Sequence, residues 1–339
     1  MVEGKQQWKA WLYLSPCIIL LLIFTVWPII NTTRLAFLEG YSSAASIGNA
    51  KFSFGFDNFV QVVKYRSFAN CLKTTMLLCV LTVPLSTILA LLIAVCLNAI
   101  KPFRKLLQTI FFLPYVTNSI AIGMVFAAMF NIVGGTQYFN LLATLKDPNT
   151  PEMMRPMLEA QIAAKEPYLQ WGIVNNVIEF FGGEPINWIN QGANYWNCII
   201  VMTIYIVWNA LPFKILILLG GLQSVNKQYY DAAKVDGTSR TRTFTRITVP
   251  LLSPMIAYVV ITGFIGGFKE YSSIVGVLGE DMGPGNDQNN KSLNTMVGFI
   301  YDSLGNQQGR ASAAALILFG IILVVTLINL YVSKKKVHY

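Results

Sequence analysis

Long apolar runs separated by polar stretches of very unequal length make up this chain. A helix needs about 20 predominantly apolar residues to cross a bilayer. Six runs reach that length: Trp11–Thr33, Cys71–Ala99, Leu106–Asn131, Tyr195–Gly221, Leu251–Val275 and Ser312–Val332. They predict an all-α membrane protein of about six transmembrane helices. The first run is too long for the apolar stretch of a signal peptide and has no small-residue cleavage site, so it is expected to remain as a span. The connections divide the rest: a polar N-terminus over 1–10, a loop over 34–70, a core of four spans over 71–275, a loop over 276–311 and a tail over 333–339. Within the core lie a short turn, Ile100–Lys105, a long insertion over 132–194 and a polar loop over 222–250.

Local signals shape two of these connections. In the insertion, Met153–Ala164 has loosely helical apolar spacing and predicts a short helix. In the loop over 222–250, Asn226 predicts a helix cap for Lys227 toward Val235. Gly237 tolerates the left-handed backbone that ends such a helix. Thr238 or Ser239 then caps a second short helix through Arg246, and Pro250 opens the next span. The loop Leu278–Arg310 is rich in Gly and Asn and shows no core pattern.

Composition agrees with a membrane class: 54% of residues are hydrophobic, 12% are charged and the mean hydropathy is positive. An even number of spans places both termini on one side, and the Lys/Arg bias selects the cytoplasm. The inner segments hold Lys5, Lys9, Lys101, Arg104, Lys105, Lys227, Lys234, Arg240, Arg242, Arg246 and the Lys334–Lys336 run, opposed by Glu3, Asp231 and Asp236. The formal +9 charge is thus a topology signal. No cluster of basic residues with stacking aromatics in a soluble region suggests nucleic acid.

Other chemistry is sparse. Cys17, Cys71, Cys79, Cys96 and Cys198 lie in or beside apolar runs with no CxxC pair, and read as small buried hydrophobes. His338 is the sole histidine, which removes histidine-based metal sites and triads. No G-x-x-x-x-G-K-[ST] run is present, so ATP is not expected to bind a P-loop here. Lys214, Lys269 and Glu270 are ionisable residues at or near membrane depth, where such groups face a cavity or a partner. Glu270 is expected either to line the pathway or to pair with a partner subunit, and Lys214 to snorkel or pair at a subunit interface.

One stretch is highly specific: Tyr230-Asp231-Ala232-Ala233-Lys234-Val235-Asp236-Gly237, then Ile247-Thr248-Val249-Pro250 after nine intervening residues. It resembles the cytoplasmic EAA loop of ABC importer permeases, with Asp231 in place of Glu and Val249 in place of Leu. Flanking segments are also similar to sugar permeases: Gly55-Phe56-Asp57-Asn58-Phe59, Pro185-Ile186-Asn187-Trp188, and Trp208 through Gln223. Relative to that family, the insertion carries extra residues over roughly Asn140–Trp171, which could dock a binding protein or simply be solvated loop.

The resemblance implies one half of a heterodimeric pore for a carbohydrate or polyol phosphate in a bacterial cytoplasmic membrane. The implied partners are a second permease subunit, two ATP-binding cassette subunits, an extracytoplasmic solute-binding protein and membrane lipids. This chain would bind no cofactor, with ATP and Mg on the ATPase subunits. Asp231, Ala232, Ala233 and Gly237 would couple to them. Three segments resemble those lining the sugar site of the maltose importer's large membrane subunit, which implies Tyr115, Ser119, Asn209, Phe213, Gly267 and Glu270 as substrate-lining. Helical rise alone places Tyr115 about 15 Å beyond Lys105, near the midplane, with Asn209 mid-way along its own run. Two rivals are an ion-coupled secondary transporter, which should show repeats and several intramembrane carboxylates, and a membrane-embedded enzyme, which needs an acid–base constellation within the spans.

Overall fold

The computed structural model describes residues 7–44, 51–100, 104–284 and 291–336. The expectations for Glu3, Lys5, Lys101, Pro102 and His338 lie outside them. In chain order the helices are α1 (Gln7–Leu21), α2 (Trp27–Phe37), α3 (Asp57–Lys64), α4 (Arg66–Ala99), α5 (Arg104–Val116), α6 (Ser119–Phe130), α7 (Gly135–Lys146), α8 (Arg155–Lys165) and α9 (Ile173–Phe180). There follow α10 (Tyr195–Ser224), α11 (Lys227–Val235), α12 (Arg240–Thr243), α13 (Val249–Leu251), α14 (Ser253–Phe268), α15 (Ser272–Leu278), α16 (Met296–Leu304) and α17 (Gln308–Lys336).

Among the described residues, four stretches are long and apolar enough to cross a membrane: Trp8–Phe37, Arg66–Ala99, Tyr195–Ser224 and Gln308–Lys335. Two bent pairs raise the number to six. The third predicted span is therefore not one rod. It breaks between α5 and α6 with a 99° bend. Asn118 causes the break: its extended backbone leaves the helix, and its side chain accepts from Ile120 and Ala121 N–H to cap α6. The fifth predicted span also ends early, at Phe268, and the chain restarts as α15 after Lys269–Tyr271.

The chain forms two compact units. In the first (residues 1–69 and 296–321), Asn58 is 2% exposed and donates to the carbonyls of Ala36 and Leu38 at 3.0 and 2.7 Å. Phe54, Phe56 and Phe59 gather round Phe37. The Gly55–Phe59 segment singled out in the sequence is thus a structural pin.

The second unit (residues 70–295 and 322–339) is organised along α10. One buried cluster includes Leu78, Phe130, Cys198, Met202, Tyr205 and Ile274. The other includes Ala90, Ala94, Ile215, Leu218, Leu222 and Val259. They meet α10 at its two ends and leave its middle, near residue 209, for polar groups. Met282 and Leu293 belong to the first cluster, with Leu293 N–H donating to Met282 C=O at 3.0 Å. The loop after Leu278 therefore does supply core residues. Their spacing fits neither helix nor strand, which is why no pattern was visible.

The insertion is a closed appendage. A two-residue antiparallel pair joins Ile132 to Trp171 and Val133 to Gln170, and α7 and α8 fill the interval. Asn190 holds the base, receiving Ile132 N–H at 3.1 Å and donating to Ile132 C=O at 3.2 Å.

Candidate functional site

A cavity of about 280 Å³ opens beside the middle of α10. Five of the six expected lining residues border it: Tyr115 from α5, Asn209 and Phe213 from α10, Gly267 from α14, and Glu270 from the break after α14. Residues separated by up to 155 positions thus share one wall system. Tyr115 and Phe213 stack, with ring centroids 5.8 Å apart and planes 19° from parallel.

Ser119 stands one layer behind. Its hydroxyl accepts from Asn209 Nδ2 at 3.3 Å, lies 3.2 Å from Tyr205 Oη and 3.5 Å from Ser273 Oγ. Tyr205 Oη also donates to the Ser119 carbonyl. Ser119 therefore orients Asn209 instead of lining the cavity. The Asn118 cap, by turning the chain there, creates this arrangement. Glu270 Oε1 accepts Ser273 N–H at 3.1 Å, which holds the carboxylate at the start of α15.

Gly267 also packs against a neighbouring helix. A Cβ there would stand 2.8 Å from Cys79 Sγ, and one at Gly263 would stand 3.1 Å from Val83 Cγ1. These glycines, one turn apart on α14, let that helix approach α4 closely, the small-residue contact common between membrane helices.

Lys214 corrects the sequence reading. It is 4% exposed, and its ammonium donates to Ser86 Oγ at 2.7 Å, Thr87 Oγ1 at 3.0 Å and Val83 C=O at 3.2 Å. An ammonium carries three N–H donors, so all are engaged within the chain and none is left to snorkel. Thr82, Ser86 and Thr262 also border the cavity and were missed. Hydroxyl residues inside an apolar run carry no signal of which face they occupy until the neighbouring helix is known.

The second candidate region is the elbow after α10. Asn226 accepts Gln228 N–H at 3.0 Å and caps α11. The far end is a Schellman turn: Gly237 has φ +65°, its N–H reaches Lys234 C=O at 3.1 Å, and Thr238 N–H reaches Ala233 C=O at 2.9 Å. Ser239 then accepts Arg242 N–H at 3.3 Å and caps α12. Asp231 is exposed, 3.8 Å from Lys234 Nζ. Ala232 is exposed, but Ala233 is buried against its own chain. Adjacent helical positions point about 100° apart, so the two alanines meet different surroundings.

Residues 82–338 match the family described as "Binding-protein-dependent transport system inner membrane component". The lactose transport system permease protein of Rhizobium radiobacter is 26% identical over 97% of this chain and 95% of its own. The arabinooligosaccharides transport system permease protein of Bacillus subtilis is 26% identical over 95% and 88%. The sn-glycerol-3-phosphate transport system permease protein of Agrobacterium fabrum is 24% identical over 97% and 96%. The fold is shared with the crystal structure of a bacterial ABC transporter involved in alginate import, at a TM-score of 0.70 and 22% identity over 98% of this chain and 96% of that one.

Proposed function

The chain belongs to the family of binding-protein-dependent transport system inner membrane components, and from that premise we propose that it forms one half of the pore of an importer for a carbohydrate. It is a transport subunit and not an enzyme, and the ion-coupled alternative gives way to the ABC importer. The observation that carries the carbohydrate reading is the meeting of Tyr115, Phe213, Asn209 and Glu270 at one mid-span cavity. Aromatic faces suit the C–H face of a sugar ring, while amide and carboxylate groups suit its hydroxyls. The names of the relatives, which include permeases for lactose and arabinooligosaccharides, support the same substrate class.

In this reading the second permease subunit completes the pore. Two ATPase subunits, which bind ATP and Mg, receive the α11–α12 elbow from the cytoplasm through Asp231, Ala232 and Gly237. Ala233 supports the elbow from within. The binding protein docks on the opposite side, with the α7–α8 appendage as its contact. A permease, its partner, the ATPase pair and the binding protein are reconstituted together and offered a panel of sugars. Asn209→Ala and Phe213→Ala should each lower uptake about fivefold to tenfold, the value of one lost polar or stacking contact of about 1 kcal/mol. Asp231→Arg should abolish ATPase association. Uptake unchanged by both cavity variants removes the carbohydrate assignment of this cavity.

A further inference from the structure

We propose that α9 is an interfacial helix whose outer stripe rests in the headgroup–acyl boundary of the leaflet at the end of α10 opposite the Asp231 elbow.

The argument begins with an inverted polarity. Ile173, Val177, Phe180 and Phe181 follow the i, i+4, i+7, i+8 spacing of one helical face. They are 60, 51, 83 and 81% exposed. Facing inward instead is Asn175, at 1% exposure. Its Nδ2 donates to Ile186 C=O at 2.9 Å, and its Oδ1 accepts Ile186 N–H at 3.1 Å and Trp188 Nε1–H at 3.0 Å. Val174 packs against the buried cluster that includes Phe130, Cys198 and Tyr205. A helix bathed in water would carry the asparagine outside and the phenylalanines inside. Here the one buried position is the asparagine and four large apolar side chains stand outside, the arrangement expected where part of the surrounding medium is itself apolar.

Depth follows from the tether. The Ile186–Trp188 segment that Asn175 grips is bound in turn to the first turn of α10. Asn197 Nδ2 donates to Asn187 C=O at 3.0 Å, and Cys198 Sγ to Trp188 C=O at 3.3 Å. This sets α9 at the level where the α10 span begins. From that level Trp196, Ile200 and Ile204 continue as an exposed apolar stripe down α10, 56, 46 and 46% exposed. Tryptophan at a span terminus marks the membrane–water boundary. The stripe of α9 therefore stands at the level where the exposed apolar stripe of α10 begins. Asn176 and Glu179, exposed on the flank of α9, supply its polar edge.

The helix also has a defined end. Gly182 has φ +80° and closes a Schellman turn, with Gly182 N–H on Glu179 C=O at 2.8 Å and Gly183 N–H on Ile178 C=O at 2.9 Å. Burial of a stripe of this kind reaches roughly 5–10 Å into the boundary region. It would anchor the base of the α7–α8 appendage at a fixed height above the pore.

The test uses the whole complex in proteoliposomes, with exposed Cys17 and Cys96 replaced by Ser. Nitroxide labels are placed singly at Val177→Cys, Phe180→Cys and, as a polar-edge control, Glu179→Cys. Oxygen, which concentrates in lipid, should broaden the spectra at 177 and 180 more than a water-soluble nickel chelate does, with the order inverted at 179. Greater nickel access at 177 and 180 overturns the proposal in favour of a water-facing helix. Low access to both reagents overturns it in favour of a covering protein subunit. Should the cysteine variants fail to insert, Phe180→Trp is read instead by quenching with brominated phospholipid against the parent protein. Its added emission should be quenched, and unquenched emission rejects the lipid contact.

Discussion

Lys214 Nζ stands 2.7 Å from Ser86 Oγ, joining the middle of α10 to the middle of α4 at the edge of the cavity. The bond is charge-assisted, and the ammonium is otherwise enclosed by Thr87 Oγ1 and the Val83 carbonyl. Ser86 Oγ also donates to Thr82 C=O at 2.5 Å, so the clamp is a short network.

Truncating this clamp should loosen the packing of the two helices. Lys214→Ala removes the buried stem and leaves a void, at a cost of about 2–5 kcal/mol by analogy with other large-to-small core changes. Lys214→Met keeps the volume and discards the charge, so its cost should stay within about 1.5 kcal/mol. Thermal unfolding of the purified complex in detergent separates the two: a clear fall in Tm for the alanine variant, and a small change for methionine. Equal falls would mean that the charge, and not the packing, holds the helices.

Gly123 and Gly276 touch backbone to backbone. A Cβ at Gly123 would lie 2.7 Å from Gly276 Cα, and one at Gly276 would lie 3.0 Å from Ile120 Cα and O. No side-chain rotation relieves either clash. Gly276→Ala should cost about 1–3 kcal/mol and push α6 away from α15. That moves Ser119 relative to Ser273 and Asn209, so uptake should fall together with Tm. A stable variant with full transport would show that α6 and α15 accept a methyl group at this contact without moving Ser119.

Gly237 tests the elbow. Gly237→Ala keeps the N–H but must hold an alanine at φ +65°, a cost of about 1–2 kcal/mol. Nothing lies within 4 Å of the added Cβ, so the penalty is purely conformational. Gly237→Pro forbids the positive φ and deletes the N–H that reaches Lys234 C=O. The alanine variant should retain ATPase subunits on pull-down with reduced turnover, and the proline variant should lose them. Normal coupling in the proline variant would take the elbow out of the transmission path.

The elbow was readable because its determinants are local. Asn226, Gly237 and Ser239 each act on backbone groups within five residues, so spacing along the chain is sufficient. The outward face of the elbow was not readable. Ala232 and Ala233 are identical as letters, and packing alone turns one of them inward. The same contrast appears at the cavity. The constant rise of a helix brought Tyr115 and Asn209 to a common depth. It could not reveal that Asn118 would bend the chain by 99° and set Ser119 behind Asn209.

What the sequence by itself determined is the length, polarity and capping of the segments: apolar runs long enough to cross a membrane, and a helix–Gly–helix elbow between two of them. Those properties depend on hydration of individual side chains and on hydrogen bonds between near neighbours. The tertiary structure alone decided which helices became adjacent. That choice gave Lys214 its three acceptors on α4, made Gly267 a contact with Cys79, and turned the phenylalanines of α9 away from the core while Asn175 went in. Each of these is a pairing across many tens of residues or a choice of helical face. Neither has a signature in the spacing of one segment, because the free energy that selects it belongs to the contact and not to the segment.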